Sequence, residues 1–96
     1  MCGIFGIVQF EGNLNAPDEK IAESANLLAH RGPDNTSTYI DAHLALIHTR
    51  LSFFDLSDAG NQPFWDDSGR YVLLYNGEVY NFRELRVELE RRGVKF

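Results

Sequence analysis

Apolar and polar positions change period several times along the chain. Ile4 to Phe10 is a nearly continuous β-prone run closed by Glu11-Gly12-Asn13, which predicts a buried strand followed by a turn. From Pro17 the period lengthens. Ile21, Ala22, Ala25, Leu28 and Ala29 recur at i, i+1, i+4, i+7 and i+8, one stripe of an amphipathic helix with Asp18 and Glu19 near its positive N-terminal end. His30-Arg31-Gly32-Pro33 ends that helix. Thr36 to Ile40 and Leu44 to His48 read as two strands joined around Asp41-Ala42-His43 as a short hairpin. The Asp, Ser, Gly, Asn and Pro residues between Asp55 and Pro63 predict a long loop, and Tyr71 to Tyr75 a strand. Asn81 with Glu84 three residues later has the form of a capping box, opening a helix with Phe82, Leu85 and Leu89 on one side. Gly93 is placed to end it at C′, and Val94-Lys95-Phe96 reads as the start of a further strand.

Strands mixed with two helices and joined by hairpins predict an α+β fold with helices laid on sheet faces. No internal repeat, low-complexity tract or Pro/Gly-rich linker interrupts the pattern, so the expectation is one domain over residues 1–96.

Composition narrows the classes of function. The 96 residues, 44% hydrophobic and 24% charged, suit a globular unit with a modest core. A formal charge of −5 without any Lys/Arg cluster leaves no footprint for nucleic acid or an anionic membrane. No apolar stretch reaches the roughly 18 residues of a membrane span, and no basic segment precedes a hydrophobic one as in a signal peptide. Neither a nucleic-acid nor a membrane partner is expected, and cytoplasm is the default location. The single cysteine cannot form an internal disulfide, and with His30, His43 and His48 at irregular spacing it makes no zinc motif.

That cysteine is the first chemical signal. Removal of Met1 from Met1-Cys2-Gly3 would expose a thiol beside a free α-amine, whose pKa of roughly 7.7 to 8.0 suits proton exchange near neutral pH. Nucleophile and base would then share one residue. The alternative is an incidental apolar residue opening the first strand.

Downstream motifs favour the first. Arg31-Gly32-Pro33-Asp34, His48-Thr49-Arg50-Leu51-Ser52-Phe53-Phe54-Asp55-Leu56, Gly60-Asn61-Gln62-Pro63 and Tyr75-Asn76-Gly77-Glu78-Val79-Tyr80-Asn81 follow Cys2 in order. Together they resemble the class II glutamine amidotransferase domain, and within it the glutamine-hydrolysing asparagine synthetases. The likeness runs from Cys2 to Phe96. It implies an N-terminal nucleophile hydrolase that releases ammonia from L-glutamine, and a partial αββα sandwich, which the periodicity is compatible with but does not itself show.

The resemblance carries roles onto particular residues. Cys2 becomes the nucleophile, with its own amine as proton carrier, directly or through a water. Asn76, by its side-chain NH2, and Gly77, by its backbone N–H, become the oxyanion hole. A carboxamide donates without competing for the proton, and glycine admits close approach. Read locally, Asn76-Gly77 is a type I′ hairpin turn, and both readings can hold because a turn can present its N–H groups to a ligand. Arg50 and Glu78 are matched to the α-carboxylate and α-ammonium of glutamine, where a guanidinium can grip a carboxylate with two bonds. Read alone, they are a surface cation at a strand end and a turn carboxylate. Main-chain groups of Leu51, Ser52, Phe53 and Phe54 are implied to line the same site. Arg31-Gly32-Pro33-Asp34 is read as a structural loop at the helix exit. His48 is read as a packed strand residue rather than as a base for Cys2, and Asn35-Thr36-Ser37 matches a glycosylation acceptor without a secretory signal to give it meaning.

Sugar-phosphate transaminating relatives would show Arg-Gly-Tyr-Asp-type and Thr-Arg-Trp-Ala-type segments. Arg31-Gly32-Pro33-Asp34 and Thr49-Arg50-Leu51-Ser52 stand here instead, which favours an asparagine synthetase or a paralogue amidating another carboxylate. No Ser-Gly-Gly-type ATP-pyrophosphatase motif occurs. The resemblance therefore implies no cofactor in this chain, with ATP and Mg on a C-terminal synthetase domain of a longer parent. A Ser-Asp-Thr-Glu-like segment that completes the ammonium site is likewise expected beyond Phe96. Two classes of function stay open: the catalytic half of a glutaminase, or a non-catalytic fragment or glutamine-binding module.

Overall fold

The computed structural model describes residues 1–53 and 55–96; Phe54, expected at the substrate site, lies outside the described residues. The elements run β1 (Gly3–Val8), α1 (Asp18–Leu28), β2 (Asn35–Ile40), β3 (Leu44–Arg50), a 3-10 turn (Asp58–Gly60), β4 (Phe64–Trp65), β5 (Val72–Leu73) and α2 (Phe82–Arg91).

β3 is the centre of a three-stranded antiparallel sheet in the order β1-β3-β2, with Phe5 opposite Ile47 and Thr38 opposite the same residue on the other side. The hairpin between β2 and β3 forms as expected. Asp41 carboxylate oxygen Oδ1 accepts the N–H groups of His43 at 2.7 Å and Leu44 at 2.9 Å, closing the three-residue loop. These bonds, the His43 one foremost, hold the exposed Asp41 carboxyl below its usual pKa.

Successive strand residues point to opposite faces. Ala45, Ile47 and Thr49 of β3 face α1, where Ile21 and Ala25 are buried with Ala45 and Ile47, and Phe5, Leu14, Ala16 and Leu28 pack around them. The stripe on α1 is narrower than the periodicity predicts, since Ala22 and Ala29 are exposed. β1 is also not buried on both sides. Its α1 face is covered, but Ile4 and Val8 on the other are exposed, because the helix can cover only one face of an edge strand.

The opposite face carries Leu46, His48 and Arg50 from β3. β4 and β5 pair as a two-stranded ribbon, and Trp65 of β4 meets Tyr39 of β2 edge to face at 5.0 Å. β4 was not legible as a strand, and β5 is shorter than the expected Tyr71 to Tyr75. Helix, sheet and ribbon therefore follow one another, an α+β arrangement.

α2 departs from expectation at both ends. Asn81 has φ −94° and ψ 30° and makes no side-chain cap bond, so the capping box does not form. At the other end Gly93, at φ +91°, closes a Schellman motif: Val94 N–H donates to Leu89 O and Gly93 N–H to Glu90 O, both at 3.0 Å. Val94 to Phe96 form no strand. No α2 residue is buried, and Phe82, Leu85 and Leu89 remain 40–52% exposed, so only α1 lies on a sheet face.

Candidate active site

Cys2 sits immediately before β1, at the end of the sheet where β3 runs out. In the register of β1 with β3, Gly3 lies opposite Thr49. A Cβ on Gly3 would stand 2.7 Å from Thr49 Oγ1 and 3.3 Å from Leu28, so this position faces α1. Alternation then turns Cys2 to the face of His48 and Arg50. Leu51 N–H points at Cys2 Sγ at 3.4 Å, with Leu51 O 3.8 Å from the same sulfur. Arg31 Nε donates to Cys2 O at 3.1 Å, fixing the backbone of the half-buried cysteine.

Two adjoining cavities open beside that sulfur. The larger, 310 Å³, has Met1, Cys2, Leu51, Phe53, Asn76, Gly77, Glu78 and Tyr80 in its wall. The smaller, 170 Å³, shares Cys2, Leu51, Phe53, Gly77 and Glu78 and adds Arg50 and Ser52, with His48 and Gln62 beneath. Every described residue that the sequence singled out for this site lines one cavity or both. Asn76 lines the larger alone, Arg50 and Ser52 the smaller. Residues far apart in the chain thus converge on one place.

Arg50 is not the surface cation that its local sequence allows: it is 7% exposed. Nη1 donates to Ser57 O at 2.6 Å and to Asn61 Oδ1 at 3.0 Å, and Nη2 donates to Asp55 O. The guanidinium thereby organises the loop after β3, packing so closely over Gly60 that a Cβ there would meet Nη2 at 2.2 Å. Of the five N–H donors of a guanidinium, these bonds among the described residues leave Nε–H and one on Nη2 for a ligand.

Asn76-Gly77 does not make the type I′ turn of the local reading. That turn needs positive φ at both residues, and neither has it. The segment instead runs past the end of β5 along both cavities. Tyr75 lays its ring over Gly77, where a Cβ would come within 2.6 Å of the phenolic oxygen, so any larger residue there would have to displace the tyrosine ring. Glu78 is exposed and lines both cavities.

His48 is 1% exposed, and neither ring nitrogen has a hydrogen-bond partner among the described residues. A Cys2–His48 pair is therefore not formed. Burial lowers the imidazole pKa below its ordinary 6.5 and the Arg50 charge adds to this, while the nearby Tyr75 carbonyl opposes it without reaching bonding geometry.

Arg31-Gly32-Pro33-Asp34 does more than end α1. A Cβ on Gly32 would stand 2.3 Å from Thr49 C and O, so only glycine lets this loop cross β3. Asp34 N–H then donates to Arg50 O at 3.0 Å, and its carboxylate accepts Ser52 N–H at 2.7 Å. The motif ties the segment that carries Leu51, Ser52 and Phe53 to the sheet. Sequence reasoning assigned no part in the site to Arg31, Asp34 or Gln62. Their only signal was membership of the quoted motifs, since each acts through long-range bonds.

Among the described residues no three His, Cys, Asp or Glu side chains are grouped to hold a metal, and no helix is long and apolar enough to cross a membrane.

A near-terminal cysteine, a buried arginine and an Asn-Gly segment thus meet at two adjoining cavities at one end of the sheet. The glutamine amidotransferase domain family matches residues 1–96, and the chain belongs to that family. It is 39% identical to asparagine synthetase B [glutamine-hydrolyzing] of Escherichia coli over 92% of its length, and 35% identical to asparagine synthetase [glutamine-hydrolyzing] 1 of Bacillus subtilis over 100%. The amidase chry2 of Gibberella zeae is 36% identical over 93%. The chain spans 15–16% of the length of these relatives.

Proposed function

We propose that this chain carries the glutaminase site of a glutamine-dependent amidotransferase, hydrolysing L-glutamine to glutamate and ammonia. The observation that carries the proposal is the convergence of Cys2, Asn76, Gly77 and Glu78 on one 310 Å³ cavity, with Arg50 at the adjoining one.

In this reading Met1 is removed and the Cys2 amine takes the thiol proton. The sulfur attacks the γ-carboxamide carbon, and the tetrahedral oxyanion is held by Asn76 Nδ2 and Gly77 N–H. Collapse breaks the C–N bond as the amine returns the proton to the leaving ammonia, leaving a thioester. Water then adds to the thioester and releases glutamate and the thiol. Met1 supports the need for processing: while attached it makes the Cys2 nitrogen an amide, which is no base, and its side chain occupies the wall of the cavity. Arg50 takes the α-carboxylate with its two remaining N–H donors, and Glu78 the α-ammonium. The main chain of Leu51, Ser52 and Phe53 lines the substrate.

The names of the bacterial relatives, glutamine-hydrolyzing asparagine synthetases, support asparagine synthesis as the use of the ammonia. In this reading the acceptor is aspartate, activated with ATP and Mg on a synthetase domain of the parent protein. The αββα sandwich is the fold proposed for the whole domain, with residues 1–96 as its N-terminal part. The test is covalent labelling of the full-length protein by a glutamine-shaped diazoketone. One adduct on Cys2, abolished by competing glutamine and by an extra residue ahead of Cys2, is expected. Absence of that adduct after Met1 removal refutes the proposal.

A further inference from the structure

β5 ends at Leu73, so Tyr75, the residue that leads into Asn76 and Gly77, belongs to no strand. Its peptide groups nonetheless have partners. Gln62 Nε2 donates to Tyr75 O at 2.9 Å, and Tyr75 N–H donates to Gln62 Oε1 at 2.5 Å. A carboxamide carries the same donor and acceptor pair as a peptide, so one side chain replaces the missing neighbouring strand. We propose that Gln62 is a positioning residue whose two bonds to the Tyr75 backbone set the place of the oxyanion donors Asn76 and Gly77. The inference deepens, and rests on, the glutaminase reading.

Its neighbours act on the other end of the substrate. Asn61 Oδ1 accepts from Arg50 Nη1, and Gly60 leaves the space that the guanidinium fills. Gln62 and Gly77 line the same 170 Å³ cavity as Arg50. One tripeptide, Gly60-Asn61-Gln62, therefore spaces the group that grips the α-carboxylate from the groups that meet the developing negative charge. Such spacing matters to rate, because misplacing a reacting group by about 1 Å costs on the order of 100-fold.

The test uses the full-length protein. Gln62→Glu keeps the size and the acceptor but turns an oxygen toward Tyr75 O; Gln62→Met keeps the length and removes both bonds. In each, kcat for glutamine is expected to fall roughly 10- to 100-fold with KM little changed. Affinity for glutamate γ-semialdehyde, whose addition to Cys2 creates a tetrahedral oxyanion, should fall by the same factor while affinity for glutamate holds. The Gln62→Glu defect, taken relative to wild type, should shrink as pH falls through the carboxylate range, because a protonated carboxyl donates to Tyr75 O again. Unchanged kcat, or equal weakening of aldehyde and glutamate, overturns the proposal. Hydrogen exchange in the unmodified protein supplies a readout that needs no variant: the Tyr75 amide is expected to be protected, and exchange at the unstructured rate overturns it. Cys2→Ala separates the two readings. Glutamine hydrolysis by that variant would sink Cys2 as the nucleophile of the glutaminase reading, whereas a protected Tyr75 amide would still record the Gln62 bonds.

Discussion

Replacing Arg50 by lysine isolates what a guanidinium does that a cation alone does not. Among the described residues Arg50 makes three bonds to the loop, at Ser57 O, Asn61 Oδ1 and Asp55 O, which leave two of its donors for the carboxylate proposed to bind there. Lysine has three N–H donors on a single nitrogen and cannot serve both sets. Holding the charge but losing one charge-assisted bond to substrate costs about 1.5 to 3 kcal/mol, which corresponds to roughly 10- to 150-fold in KM. The assay is ammonia release by the full-length protein, with glutamine and with a simple primary amide lacking the α-carboxylate. KM for glutamine is expected to rise by that range while kcat/KM for the truncated amide changes far less. Equal loss on both substrates would show that Arg50 only shapes the loop, and an unchanged KM for glutamine would refute its contact with substrate.

Two further predictions concern the residues around this site. His48→Leu removes a buried imidazole with two unpartnered nitrogens, a situation that costs about 1 to 3 kcal/mol, so the variant should be at least as stable as the parent at pH 7.5 by urea unfolding. Because the folded-state pKa of His48 is lowered, the unfolded chain binds the proton more readily; stability is present above pH 6.5 and lost as pH falls below it, and His48→Leu should flatten that slope. An unaltered slope would place the acid sensitivity elsewhere. Gly32→Ala puts a methyl 2.3 Å from the β3 backbone, so the loop must move away and strain the Asp34 bonds to Arg50 and Ser52. A loss of roughly 2 to 4 kcal/mol is expected from overpacking and the weakened bonds, and a loss under about 0.5 kcal/mol would refute the close approach.

The layers of the fold are built from segments whose signals are local. The α1 stripe, the Asp41-Ala42-His43 turn and Gly93 at the end of α2 were each legible because a helix period, an aspartate reaching two residues ahead and a left-handed glycine act within a few residues. The capping box failed because Asn81, at φ −94° and ψ 30°, has neither the extended backbone of an N-cap nor a side-chain bond to the N–H groups that it would cap. β4 went unread because two residues carry no period. The site shows the same division. Cys2, Arg50 and the Asn76-Gly77-Glu78 run were recognisable as motifs, whereas their spacing in space was not.

The chain's own pattern determined which stretches coil, which extend, and which residue types are available to amide chemistry. Tertiary structure alone decided that Arg50 is buried, that Asn76-Gly77 runs along a cavity instead of reversing the chain, and that Gln62 stands in for a strand beside Tyr75. The physical reason is range. Backbone dihedrals and side-chain period are set by near neighbours, but a buried guanidinium or an unpaired peptide takes whatever partner the completed packing brings to it, however distant along the chain.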